Sequence, residues 1–228
     1  MRRTSRRTAL LAVGSLAGAA AIGAGATELA QPSATAQPIP PPEDLMREHG
    51  VLKRILLCYR EAGRLVLAGQ PLPTRPVHDG AVIIRDYIES FHEGLEEAYV
   101  FPRLRQANVL VSTVDTLLIQ HARGRRITAS IIAGTTQPVR ASAARQLIAS
   151  MDSFVRMYEP HEAREDTVIF PRFRQITPAK TLTSLGERFA EEERKLFGRT
   201  GFTDMVNKVA AIEESLDIAD LAAFTPEA

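Results

Sequence analysis

Two fifteen-residue stretches decide the fold: HEGLEEAYVFPRLRQ, from His92 to Gln106, and HEAREDTVIFPRFRQ, from His161 to Gln175. Set against each other at an offset of 69 residues they are identical at 8 of 15 positions, and several of the differences are conservative. The segments that precede them also repeat. At an offset of 72, His49 falls on His121, Lys53 on Arg125, Arg54 on Arg126 and Ile55 on Ile127. The chain therefore reads as a helical hairpin present twice. Two such hairpins pack most simply about a pseudo-two-fold axis, which brings the repeated polar positions together in the middle.

Outward from these stretches, no sustained alternation of apolar residues follows Pro42, whereas apolar residues recur at i, i+3, i+4 and i+7 in nearly every window. A first helix is expected from Glu43 to Ala68, with Leu45, His49, Leu52 and Leu56 on one stripe, stopped by Gly69, Pro71 and Pro73. The second is expected from Gly80 to Gln106, with Pro102 kinking or loosening its end. The third runs from Val111 to Ala133 and the fourth from Arg140 to Gln175; two more follow, Thr181 to Phe197 and Thr203 to Leu216. Long helices with short connections predict an all-α, up-down-up-down four-helix bundle over residues 43–176, with residues 177–228 a helical extension packed outside it.

Residues 1–36 have a targeting layout: Arg2, Arg3, Arg6 and Arg7, then the Gly/Ala-rich apolar stretch Ala9 to Ala26, then a Pro-rich linker over 37–42. The string SRRTALL, Ser5 to Leu11, resembles the bacterial twin-arginine signal, and Ala34 to Ala36 suits a signal peptidase. The expectation is a signal peptide cleaved near residue 36, with the twin-arginine machinery as partner and a periplasmic or extracellular destination; a retained membrane anchor is the alternative. The twin-arginine route carries folded proteins, often with a cofactor already inserted. The 228 residues have a formal charge of +1, and without the first 36 they hold 24 Lys+Arg against 26 Asp+Glu, a charge of −2. Such a balance carries no electrostatic footprint for nucleic acid. The single cysteine, Cys58, makes no internal disulfide and no Cys-based zinc site, and is expected buried in the first helix.

The repeated polar residues are His and Glu. Residues i and i+4 on a helix project from one face, so His92 with Glu96, and His161 with Glu165, each offer an imidazole and a carboxylate to one point. His49 and His121 lie one per helix on the inward stripes. Four His and two Glu from four helices suit iron, manganese or zinc, and a bundle core can share carboxylates between two ions. Glu93 and Glu162 are repeat-equivalent and are either ligands or ion-paired neighbours. Lys53 and Arg125 either pair with those acids or lie on the rim, and Tyr158 is either a donor behind the ligands or a core residue. His78, in the Pro76 to Gly80 segment, is expected in a surface loop.

These strings resemble the hemerythrin-like (HHE cation-binding) domain family: REHGVLKRI, FHEGLEEAYVFPRL, QHARGRR and PHEAREDTVIFPRF, over about Glu43 to Gln175. The resemblance implies a four-helix bundle holding a non-haem di-iron centre bridged by carboxylates. Carried over by position, it implies His49, His92, Glu96, His121, His161 and Glu165 as ligands, with Glu96 and Glu165 as bridges and Glu93 a possible addition as in iron-sensing members. One departure stands out. Oxygen-carrying hemerythrins have His four residues after the helix-three His, where this chain has Arg125. Ferritin-like proteins, the other all-α di-iron class, need two Glu-x-x-His motifs. This chain has one, Glu89 to His92.

Two functions follow from that resemblance. The first is an exported binding or sensing protein for oxygen, nitric oxide or iron; the second is a di-iron oxidase or peroxidase consuming peroxide or nitric oxide. The absence of a second redox motif in the sequence ranks the binding protein first. A further possibility gives the helices after Pro178 a partner surface.

Overall fold

The computed structural model describes residues 38–226, so the expected signal at 1–36 lies outside the described residues. Within them the chain is helical, with no strand. α1 is Pro41–Leu67. It starts two residues before Glu43, because proline is tolerated in a first turn whose N–H groups have no helical partner, and Glu43 and Asp44 complement the positive end of the helix. The expected linker thus gives its last two residues to the helix. Gly69, at φ 82°, ends it.

α2 covers 74–106 and starts six residues before Gly80. Pro76 sits in its first turn, where it costs no hydrogen bond, so the segment read as a loop is the opening of the helix. His78 is correspondingly not a loop residue. It is half-buried, and its Nδ1 lies 3.0 Å from the Thr135 hydroxyl, which itself donates to the Ile131 carbonyl. α3 is Val111–Gly134, α4 covers 141–176, α5 is Ala179–Phe197 and α6 is Gly201–Ser215, followed by a 3-10 turn at Leu221–Phe224.

The repeated stretches share a backbone irregularity. Each has a widened π-helical turn, Glu96–Val100 and Glu165–Ile169, immediately before its Phe-Pro pair. In a regular α-helix the Pro102 and Pro171 rings would press on the carbonyl four residues back; the wider turn relieves that contact without a sharp break. Both turns begin at a glutamate of the repeat.

The four long helices pack in a ring, α1 on α2, α2 on α3, α3 on α4 and α4 on α1. Tyr59, Phe154, Tyr158, Phe101, Phe170 and Phe173 fill the interior. Each such side chain contributes about 1.5–3 kcal/mol by leaving water. α5 packs on α1, and α6 on α1, α2 and α5. Phe197 meets Tyr87 and Phe91 edge-on at 5.3 and 5.6 Å, and Arg54 forms a two-pronged pair with Glu213 at 2.9 and 2.5 Å. No described helix is long and apolar enough to cross a membrane.

Candidate metal centre

Each long helix supplies one histidine to the middle of the bundle: His49 from α1, His92 from α2, His121 from α3 and His161 from α4, none more than 4% exposed. Their Nε2 atoms converge on two carboxylates. Glu96 lies 3.7 Å from His92 Nε2 by Oε1 and 3.5 Å from His121 Nε2 by Oε2. Glu165 Oε2 lies 3.4 Å from His49 Nε2 and 3.1 Å from His161 Nε2. The donor atoms fall into two sets that could each hold an ion, His49 with His92 and Glu96, and His121 with His161 and Glu165, each set within 4.8 Å. Each glutamate belongs to one set and also touches a histidine of the other. A carboxylate so placed can be shared by two ions.

The chemistry of the donors fits cations. Both oxygens of Glu96 and both of Glu165 are buried without a hydrogen-bond partner. Leaving an ionised carboxylate buried and unpaired costs several kcal/mol, which a bound cation offsets. Burial, and then the charge of Glu165, push the Glu96 carboxyl well above its ordinary range. Burial works the same way on Glu165, but His161 and His49 outweigh it and hold that carboxyl well below the usual range. For His49 burial lowers the imidazole, yet Asp166 and Glu165 override it and raise it to about 10. Burial, which disfavours a protonated ring, shifts His92 and His121 the other way, below their ordinary range, and imidazole with carboxylate and no thiolate suits iron, manganese or zinc.

Every histidine is also anchored from behind. His49 Nδ1 donates to Asp166 at 2.7 Å, His92 Nδ1 to Glu48 at 2.7 Å, His121 Nδ1 to Glu97 at 3.0 Å and His161 Nδ1 to the Gln120 side-chain carbonyl at 2.9 Å. Because all four partners are acceptors, they hold a proton on Nδ1 and turn Nε2 toward the centre, where a bound cation would take the place of any second proton. Such partners orient a ligand and raise its basicity. Sequence reasoning missed all four, although the repeat carried a signal. Glu97 and Asp166 are related by the offset of 69, and Glu48 and Gln120 by the offset of 72.

The remaining candidates form ion pairs around this core. Lys53 Nζ lies 3.1 Å from Glu162, and Arg125 Nη2 lies 2.8 Å from Glu93 and 2.6 Å from Glu97. Tyr158 donates to the other Glu93 oxygen at 2.7 Å, while burial, against that hydrogen bond, pushes the Glu93 carboxyl up to about 8. Both Glu93 oxygens are thus engaged. Glu93, Glu97 and His121 make a third close set of donors, over which the Arg125 guanidinium supplies the positive charge. Glu162 joins none of the three sets. The Tyr158 hydroxyl reaches Glu93 across Gly124, where a Cβ would lie 2.1 Å from it. Phe170 stacks on His49 and Phe101 on His121, with centroids 5.5 and 5.6 Å apart. These stacks and ion pairs all run between the first hairpin, α1 and α2, and the second, α3 and α4.

The chain is 48% identical over 195 residues to "Uncharacterized protein Rv1995" of Mycobacterium tuberculosis (strain ATCC 25618 / H37Rv). It is equally similar to "Uncharacterized protein Mb2018" of Mycobacterium bovis. The match covers 83% of this chain and 75% of each relative. No solved structure matches. The family model described as hemerythrin HHE cation binding domain matches residues 41–172, more than half of the chain and inclusive of all six converging histidines and glutamates. The chain belongs to the hemerythrin HHE cation-binding domain family, and so to proteins that bind metal cations.

Proposed function

We propose that this is an exported non-haem di-iron protein that binds or senses oxygen, nitric oxide or iron, with His49, His92, Glu96, His121, His161 and Glu165 as ligands. The observation that carries the reading is the placement of Glu96 and Glu165. Each carboxylate touches a histidine of both donor sets and has no other partner for its buried oxygens, as a pair of ions sharing bridges requires. When bound, two irons supply reversible one-electron oxidation of each ion together with affinity for a small diatomic ligand. The protein's own residues do the rest: Asp166, Glu48, Glu97 and Gln120 orient the imidazoles, Phe101 and Phe170 exclude water, and Lys53 and Arg125 balance the surrounding acids. Export rests on the Ser5 to Leu11 pattern.

A di-iron oxidase or peroxidase acting on peroxide or nitric oxide is the second reading, favoured by one observation. Tyr158, a side chain able to give up an electron, lies 5.1 Å from His161 by ring centroids, with its proton already on a bond to Glu93. The two readings separate on gassing. A spectrum that changes and recovers on degassing supports binding, and steady consumption of peroxide with a reductant supports turnover. Metal content by plasma mass spectrometry comes first, on protein purified without chelator, beside a His161→Ala, Glu165→Ala double variant. Two irons per chain, lost in the variant, support the proposal; stoichiometric zinc or manganese overturns the oxygen chemistry, and no metal overturns the whole reading.

A further inference from the structure

The pseudo-two-fold arrangement of the anchors is broken at one position. Where His92 is backed by the buried carboxylate of Glu48, the equivalent His161 is backed by the neutral amide of Gln120. Three of the four imidazoles therefore have a carboxyl group directly behind them and the fourth has an amide. That side of the bundle is also where the surface is indented. A cavity of about 320 Å³ is lined by Thr113, Thr116, Gln120, Pro160, Arg164 and His161 itself. Arg164 at its edge is exposed and makes no ion pair among the described residues. The other basic residues flanking the centre are committed, Lys53 to Glu162 and Arg125 to Glu93 and Glu97.

We propose that this cavity is the port through which small anions reach the centre, with Arg164 as the attracting charge and Gln120 as the movable floor, opening on the His121, His161 and Glu165 set. The inference rests on the metal-centre reading above. An anion approaching behind His49 or His121 meets the carboxylates of Asp166 or Glu97, and the way behind His92 is closed by the buried Glu48, 1% exposed, whereas behind His161 it meets an amide that can donate to it. The cavity wall adds the hydroxyl of Thr113, while that of Thr116 donates to the Ser112 carbonyl at 3.0 Å. His161 is 4% exposed, so passage takes rotation of the half-buried Gln120 side chain, which is held by the one hydrogen bond to His161. Asymmetry in the anchors and asymmetry in access thus coincide on one histidine.

The test follows azide association with the full-length, metal-loaded protein by stopped-flow absorbance and by calorimetry. Metal content is measured on every sample. Arg164→Glu should slow azide association about threefold to tenfold at low ionic strength, the difference vanishing near 0.5 M salt, and should leave association of uncharged nitric oxide unchanged. Thr113→Trp or Thr116→Phe, which fill the cavity from its polar wall, should slow azide at least about tenfold at any salt concentration. Arg145→Glu is the charge control, on the same helix about 28 Å away at 1.5 Å per residue; it should leave azide binding unchanged. Wild-type azide rates in Arg164→Glu and in both filling variants, with full metal content, overturn the port and leave the metal-centre reading standing. A wild-type protein that holds no metal overturns both.

Discussion

Gly124→Ala should destabilise the bundle although alanine is the better helix former. The new Cβ would lie 2.1 Å from the Tyr158 hydroxyl, 2.8 Å from Cζ and 2.9 Å from Cε2. Ordinary carbon contact begins near 3.4 Å, so the ring must retreat by about 1.3 Å, which takes the hydroxyl out of reach of Glu93. Loss of a hydrogen bond to a carboxylate costs about 1.5–3 kcal/mol, and overpacking a filled core about 1–3 kcal/mol. Helix propensity returns about 1 kcal/mol. The net is a loss of roughly 1.5–5 kcal/mol. Urea unfolding with chelator present reads it without a contribution from bound metal. Gly50→Ala is the matched control, because nothing lies within 4 Å of a Cβ there; it should stabilise by up to about 1 kcal/mol. Tyr158→Phe should cost less in the Gly124→Ala background than alone, since its hydrogen bond is already broken. If Gly124→Ala and Gly50→Ala shift the unfolding curve in the same direction, the close approach of Tyr158 to α3 is wrong.

Glu48→Ala removes the acceptor that aims His92, and should weaken iron or zinc binding about 10–100-fold in a competitive chelator titration; unchanged affinity would refute an orienting role. Arg54→Ala takes both prongs from Glu213 and should lower unfolding free energy by about 1–3 kcal/mol while metal content stays full; loss of metal would mean that α6 supports the centre directly. Burial and the nearby Glu213 push the Cys58 thiol up to about 12, and the residue is 2% exposed. The thiolate that reacts is therefore scarce below that pH. Native protein at pH 8 should resist a disulfide labelling reagent and react once unfolded in urea; fast native labelling would contradict the packing of α1.

The helices were legible because their apolar stripes have a 3.6-residue period, and the candidate ligands because His92 with Glu96 and His161 with Glu165 recur at one spacing. What escaped were features whose local signal points the wrong way. Pro76 and Gly80 look like a loop, yet proline in a first turn is an ordinary helix start, and His78 went with them. The π turns at Glu96 and Glu165 leave no mark on hydrophobic periodicity. Glu48, Glu97, Gln120 and Asp166 each adjoin a candidate ligand in sequence, next to His49, Glu96, His121 and Glu165, and on a helix an adjacent residue points about 100° away from its neighbour. Each points to a histidine on another helix, and that relation exists only in three dimensions. Gly124 carries no signal of its own in the sequence, and its meaning depends on a tyrosine 34 positions away.

The two kinds of anchor divide the assembly of the centre into stages. His92 with Glu48, and His161 with Gln120, are satisfied inside a single hairpin, so those two imidazoles can be aimed as soon as each hairpin forms. His49 takes its partner from 117 residues away and His121 takes its partner from α2, so neither can be aimed until the hairpins dock. A chain nicked in the 107–110 connection would hold two half-sites, each with one imidazole aimed and one free to turn. Cation affinity then becomes a reporter of docking. It would rise steeply when the two fragments associate, and a bound ion would fasten the contacts that form last in folding.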